Sequence, residues 1–163
     1  FEILFSHVAT PDGYQRGRAI WHTATSDSGQ LKMLRAAADA SEQLSDRMQE
    51  RILWAIDRAL KLGELRNDAV HSSTIVLVEN GKAKIAPSDI GTKPSRSEKL
   101  RRDDDLKKKF CAVKGDLLQI GQYVHFLWPH VAGFDALPPL PRKPQLRSLP
   151  KQTHRKVTHV PAK

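Results

Sequence analysis

Residues 42–62 read EQLSDRMQERILWAIDRALKL and have the strongest structural pattern in the chain. Their apolar residues recur every three or four positions, which is the spacing of one face of an α-helix, and polar residues fill the other positions. The apolar set is Leu44, Met48, Ile52, Ala55, Ile56, Ala59 and Leu60. The pattern predicts an amphipathic helix with one face in a helical core. Gly63 follows, and it could either cap this helix or be a tolerated weak point in a longer one.

Weaker helical patterns flank this segment. A helix is predicted for about residues 15–24, and another after the potential N-cap residues 26–28, with apolar residues at Leu31, Leu34 and Ala38. A long helix is predicted for about residues 99–128, with Pro129 as its stop. Its apolar stripe is Leu106, Phe110, Val113, Leu117, Ile120, Val124 and Leu127. Since the chain begins without Met, we also expect residues 1–8 to be the end of a helix truncated by the numbering.

A different pattern separates the two long helices. Residues 74–78 (TIVLV) are apolar and mostly β-branched, residues 82–85 (KAKI) alternate in polarity, and Asn80-Gly81 lies between them. Asn-Gly between two such runs is typical of a two-residue β-turn, because both turn residues must adopt positive φ. The sequence therefore predicts a small β-hairpin at about residues 74–86, followed by a loop over residues 87–97.

The last 31 residues differ in composition from the rest. Residues 133–163 contain six of the ten prolines and little apolar periodicity, so they cannot bury enough surface to offset the entropy lost on ordering. We predict a mostly α fold: a helical bundle of about four helices over residues 1–132, with the hairpin inserted, and a disordered, Pro-rich basic tail over residues 133–163. The first few residues of the tail could dock on the bundle through Phe134 or Leu137.

The net charge of +9 is concentrated in this tail. From residue 133 onward there are seven Lys and Arg against one Asp, a net charge of +6, whereas residues 1–132 have 20 basic and 17 acidic residues, a net charge of +3. The high isoelectric point is therefore mainly a property of the tail. A flexible, solvated end is the usual meaning of such a composition, although electrostatic binding of RNA is an alternative.

The cysteine content and the hydropathy of the chain indicate its cellular compartment. Cys111 is the only cysteine, so the chain cannot form an internal disulfide, and this fits a reducing cytoplasm. Its apolar neighbours predict a buried, inert thiol. No apolar run approaches the roughly 20 residues that cross a bilayer. We therefore expect a cytoplasmic protein that does not enter a membrane.

The string Arg66-Asn67-Asp68-Ala69-Val70-His71 is the main chemical clue. It places a permanent cation, a carboxamide and an imidazole within two helical turns, and Asn67 and His71 share a face if the string is helical. A guanidinium can bind phosphate oxygens in a fork, and an imidazole transfers protons near neutral pH. These groups suit a phosphodiester. RNA supplies its own nucleophile in the 2′-hydroxyl, so such a site needs no metal or other cofactor.

This string resembles the signature of the HEPN superfamily, the higher eukaryote and prokaryote nucleotide-binding domains. That signature is an Arg, a polar residue that is often Asn, a few further residues and a His. The helix order over residues 1–128 is also similar, although only six residues match as a motif. The resemblance implies that Arg66 clamps phosphate, Asn67 orients and His71 transfers protons.

The same resemblance carries expectations about activity and partners. Many members of the superfamily are metal-independent endoribonucleases, often toxins or defence nucleases, and they dimerise so that two motifs line one cleft. For this chain it implies an RNA substrate, a homodimer and an antitoxin or operon partner.

Other interpretations of the string remain open. Arg and His five residues apart occur in many helical proteins, and Arg66 could pair with Glu64 or Asp57 in a surface network. The alternative function is a non-catalytic helical module that binds RNA, a nucleotide or a protein. The sequence has no Gly-rich phosphate loop and no His or Cys spacing typical of a metal site.

Overall fold

The computed structural model describes residues 1–10, 13–70, 74–88, 106–134, 137 and 139–149. Within these residues the fold is five α-helices and one two-stranded antiparallel sheet, so the prediction of a mostly helical fold with a small hairpin is confirmed. The helices are α1 (Glu2–Ala9), α2 (Tyr14–Trp21), α3 (Asp27–Ala40), α4 (Asp46–Val70) and α5 (Leu106–Val131). The strands are β1 (Thr74–Glu79) and β2 (Lys82–Pro87). None of the helices in the described part of the chain has an apolar stretch long enough to cross a bilayer.

Helices α4 and α5 form the centre of the bundle and run antiparallel. Arg51 Nη1 donates a hydrogen bond to the Tyr123 hydroxyl at 3.2 Å, and the Trp54 and Tyr123 rings pack edge to face at 5.2 Å. The buried residues of α4 extend from Met48 to Leu62, and those of α5 from Val113 to Leu127. The contact between Arg51 and Tyr123 puts these two residues at the same level of the bundle. The buried part of α4 then lies beside the buried part of α5 only if the two helices run in opposite directions. The end of α4 is therefore level with the start of α5.

The structure settles one helix boundary that the sequence left open and corrects another. Helix α4 continues through Gly63 to Val70, so Gly63 is an interior residue rather than a cap. Pro129 does not end α5, which continues to Val131. The chain leaves α5 at Gly133, whose φ of +71° suits the left-handed conformation that commonly follows a helix. Pro129 removes only its own N–H from the helix, and the turn beyond it is closed by the Ala132 N–H, which donates to the Trp128 carbonyl at 2.9 Å.

The prediction of a buried thiol is wrong, because Cys111 is exposed. Val113, which is buried, lies two residues further along α5 and hence about 200° around the helix. Val113 therefore faces the core, while the thiol of Cys111 faces outward.

Helices α1 and α2 cross at a glycine. The Phe5 and Trp21 rings pack 5.3 Å apart on the core side of this crossing. A Cβ atom on Gly17 would lie 2.5 Å from Thr10 Oγ1 and 2.7 Å from Ser6 Cα. The Thr10 hydroxyl cannot simply turn away, since it donates to the Ser6 carbonyl at 3.0 Å. Only glycine allows the two backbones to approach this closely.

We therefore expect Gly17→Ala to destabilise the protein by about 1–3 kcal/mol, the usual cost of overpacking a close contact. Gly63→Ala is the matched control, because a Cβ atom there meets nothing within 4 Å. That change should raise the free energy of unfolding by roughly 0.5–1 kcal/mol, since alanine is the better helix former. Urea denaturation of both variants makes the comparison. Equal stability of Gly17→Ala and the wild type would contradict the close crossing.

Residues 139–149 lie against the bundle. They have no helix or strand, as the sequence predicts for the tail, but the predicted disorder does not extend to them. Arg51 Nη1 donates to the Pro141 carbonyl at 2.5 Å. Lys143 Nζ lies 2.6 Å from Glu50 Oε1 and 5.6 Å from the centre of the Trp54 ring. Three leucines of the segment also pack against the core: Leu140, Leu146 and Leu149.

A buried carboxylate fixes the far end of this segment. Asp116 of α5 is 1% exposed, and its oxygens accept hydrogen bonds from the Arg147 N–H at 3.0 Å and the Ser148 N–H at 2.7 Å. The Ser148 hydroxyl donates to the same carboxylate. A buried charge needs several such donors to offset its lost hydration. The segment supplies three of them, so the carboxylate and the segment depend on each other.

Two ionisable groups under the segment have shifted pKa values. The hydrogen bond and charge of Lys143 lower the pKa of Glu50. Burial raises the pKa of Tyr123, and the hydrogen bond from Arg51 opposes this in part. The Glu50–Lys143 pair therefore contributes at neutral pH and is lost as the pH falls through the lowered pKa of Glu50. Because Glu50 is largely exposed, this contribution is small.

Candidate functional site

The Arg-Asn part of the motif lies in the last two turns of α4. Arg66 and Asn67 are both exposed, and both are helical, so the phosphate-binding and orienting candidates lie on one rigid element. His71 follows the last residue of α4 and lies outside the described residues. The structure therefore places two of the three predicted site residues on the surface near the end of α4, about 100° apart around the helix, and leaves the position of the imidazole a prediction.

Arg66 continues the inner face of α4. It lies four residues after Leu62, which is fully buried, and seven after buried Ala59, so all three project from the same side of the helix. Leu65, beside it, still packs against the core. Arg66 is exposed because it lies one turn beyond Leu62, the last buried residue among those of α4 whose burial the structure describes. Its guanidinium therefore extends from the end of the core rather than from the outer surface of the bundle.

The first turn of α5 lies level with Arg66 at this end of the bundle. Because α4 and α5 are antiparallel, Arg66 is level with about residue 108. Residues 61–70 of α4 have no net charge, with Lys61 and Arg66 balanced by Glu64 and Asp68, and residues 107–109 add three lysines. By residue type these two helical segments therefore sum to a net charge of +3. Lys108 and Lys109 each have an interaction partner within the protein.

The ion pair that would make Arg66 purely structural is absent from the described residues. Asp57, a carboxylate that the sequence offers to Arg66, is instead paired with Arg35 of α3. No ion pair or hydrogen bond of Arg66 with any other described residue is present. An exposed guanidinium with five donors is thus available to an oxyanion.

A second feature, on α5, was missed by the sequence analysis. An open hollow of about 500 Å³ lies on the outer face of this helix, and its exposed apolar side chains include Leu118 and Phe126. Its lining residues are Leu117, Leu118, Gly121, Gln122, His125 and Phe126. The signal was present in the sequence: Leu118 and Phe126 are apolar but fall outside the α5 stripe that faces the core. By level along the bundle, the hollow lies more than two helical turns from Arg66.

Asp116 was also missed, although its spacing gave a signal. It lies three residues after Val113 and four before Ile120, so a charged residue occupies a core position of α5. Such a position predicts a partner, and the partner is residues 147–148 of the docked segment.

In the part of the chain that the structure describes, no three His, Cys, Asp or Glu side chains lie close enough to share a metal ion. Comparison with protein-family models, with curated proteins and with solved structures found no match to this chain.

Proposed function

We propose that this chain is a metal-independent endoribonuclease whose site consists of Arg66, Asn67 and His71. The observation that carries the proposal is the placement of Arg66: it is exposed at the end of the core, on a rigid helix, without a described carboxylate partner. Asn67 is the next residue of the helix, and His71 follows Arg66 by five residues in the sequence. The resemblance of this string to the HEPN signature supports the same reading.

The reaction uses the 2′-hydroxyl of RNA as the nucleophile. His71 accepts the proton of this hydroxyl as the O2′–P bond forms, and the P–O5′ bond breaks as a water molecule donates a proton to the leaving 5′ oxygen. The products are a 2′,3′-cyclic phosphate and a 5′-hydroxyl. Arg66 binds the non-bridging phosphate oxygens and stabilises the charge that increases on them in the transition state. Asn67 orients the phosphate or the imidazole through its amide.

The biological setting belongs to the same proposal. Many enzymes of the superfamily that the motif resembles are toxins or defence nucleases, and a toxin needs a partner that restrains it. We propose a cytoplasmic homodimer acting on RNA, with an antitoxin or operon partner.

The second candidate function is a non-catalytic module that binds another protein. The hollow on α5 favours this reading, since Leu118 and Phe126 expose apolar surface that a protein partner would cover. In this reading Arg66 and His71 have no part in chemistry, and substituting them leaves the activity of the protein unchanged.

Cleavage of a broad RNA panel distinguishes the two. The ribonuclease should cut single-stranded or structured RNA in the presence of EDTA, and mass spectrometry of the products should find 2′,3′-cyclic phosphate and 5′-hydroxyl ends. DNA of the same sequence should remain intact, because it lacks the 2′-hydroxyl. Metal-dependent cleavage that leaves 5′-phosphates would reject the mechanism. Failure of the wild type to cut any RNA of the panel would favour the binding module.

A further inference from the structure

The β-hairpin exposes an apolar sheet. Val76 and Val78 of β1 are 66% and 72% exposed, and Ile75 and Leu77 on the opposite face are also exposed. Within the described residues each strand makes its extensive contacts only with the other strand. A two-stranded sheet of this kind is marginally stable by itself, because it buries little of its apolar surface. We therefore expect another surface to cover the exposed apolar residues of the hairpin.

The two outer edges of the hairpin differ. Strand β2 contains Lys82, Lys84 and Pro87, and lysine and proline are the residues that discourage pairing at a sheet edge. Strand β1 has the sequence TIVLVE, without lysine or proline. The edge of β1 is thus open to another strand, whereas the edge of β2 is protected.

The turn determines which backbone groups lie on these edges. Asn80 and Gly81 have φ values of 52° and 73°, the combination of a type I′ turn, and Glu79 is paired with Lys82. In such a hairpin the pair next to the turn is hydrogen-bonded and the pairs then alternate. The pair Val78–Ala83 is therefore not hydrogen-bonded within the hairpin. The N–H groups of Val76 and Val78 point out from β1, and that of Ala83 points out from β2.

From these features we infer that the β1 edge binds the β1 edge of a second copy of this chain. With a two-fold axis at Val76, antiparallel pairing places only uncharged residues opposite residues 74–78. With the axis at Leu77, the one charged residue opposite this stretch is Glu79, which faces Ile75. Neither arrangement brings the two Glu79 carboxylates opposite each other. The strand is therefore complementary to itself. The result is a four-stranded sheet in the order β2-β1-β1-β2, with the protected β2 strands outermost, so that assembly stops at two chains.

The inference deepens the homodimer of the proposed function by naming its interface, and it can fail while the proposed chemistry stands. The interface is tested by the mass of variants in β1, whereas the chemistry is tested by RNA cleavage, and none of the three proposed site residues belongs to β1. The full chain should sediment as a species of about twice 18.3 kDa in analytical ultracentrifugation. Val78→Pro should convert it to a monomer, since proline removes an N–H that the second β1 strand needs and leaves the ladder with β2 intact.

Ala83→Pro is the matched control. Ala83 lies directly across from Val78, and its N–H points out from the β2 edge. Ala83→Pro therefore removes an outward N–H from the edge that does not pair, so this variant should remain a dimer. If either proline disrupts the hairpin, the separate variants Val78→Lys and Ala83→Lys repeat the comparison with a charge in place of the proline. A monomeric wild type would overturn the inference, as would a dimer that survives both changes at Val78. Equal loss of the dimer in the Val78 and Ala83 variants would place the contact on the sheet face and overturn the edge pairing.

Discussion

Replacing His71 by alanine should reduce the rate of RNA cleavage by roughly 10²–10⁴-fold, the usual cost of losing a general acid or base. The change removes the imidazole that takes the proton of the 2′-hydroxyl, and methyl cannot replace it. Single-turnover cleavage of a defined RNA, followed by gel or mass spectrometry, measures the effect.

Arg66→Ala belongs to the same experiment, because the guanidinium stabilises charge on the phosphate in the transition state. Lys61→Ala is its matched control: Lys61 is an exposed cation on the same helix, about one and a half turns earlier. A loss of activity specific to Arg66 supports phosphate clamping. Equal losses in both variants would instead indicate general electrostatic attraction. Circular dichroism of each variant must show intact helices, since an unfolded variant would make the loss of activity a loss of fold.

Asp116→Ala should destabilise the protein by about 2–4 kcal/mol, because it leaves three donors of residues 147–148 without their charged acceptor. Two of these donors are backbone N–H groups that cannot turn to solvent unless the segment leaves the bundle. Asp39→Ala is the control, since Asp39 is exposed on α3 and should change stability little. Ser148→Ala should have an intermediate effect, because it removes one hydroxyl and keeps both N–H donors. Urea denaturation compares the three. If Asp116→Ala were as stable as Asp39→Ala, the docking of residues 139–149 would be contradicted.

The local elements were predictable because their causes are local. Asn80-Gly81 indicates the hairpin, since few other residue pairs tolerate two positive φ values in succession. The stripe of residues 44–60 indicates α4 because a core-facing helix must repeat its apolar residues at this spacing. The extension of α4 through Gly63 was left open by the sequence, because the cost of one helical glycine is small compared with the packing of its neighbours.

The docked segment was not predictable from composition. Its contacts join residues about 90 positions apart, such as Arg51 with Pro141 and Glu50 with Lys143. No periodicity reports such a contact, and the prolines by themselves are typical of a disordered tail. Asp116 was the one available sign, because its spacing puts a charge on the core face of α5, but the spacing does not show which segment supplies its partner.

The candidate site was predictable in its residue types and only partly in its geometry. The string identified a guanidinium and a carboxamide, and the structure places both on the surface at the end of α4. The sequence could not tell whether Arg66 pairs with Asp57, because that depends on α3, which supplies Arg35 to this carboxylate instead.

The docked segment also makes local opening of the protein measurable by hydrogen exchange. Three of its residues, Pro139, Pro141 and Pro144, have no amide proton. The N–H groups of Arg147 and Ser148 are the ones that donate to the buried carboxylate. Their exchange with solvent deuterium therefore requires the segment to leave Asp116, while the amides within α4 and α5 stay protected by their helices. The two amides are native reporters of an opening equilibrium at the end of the chain that leaves the bundle folded.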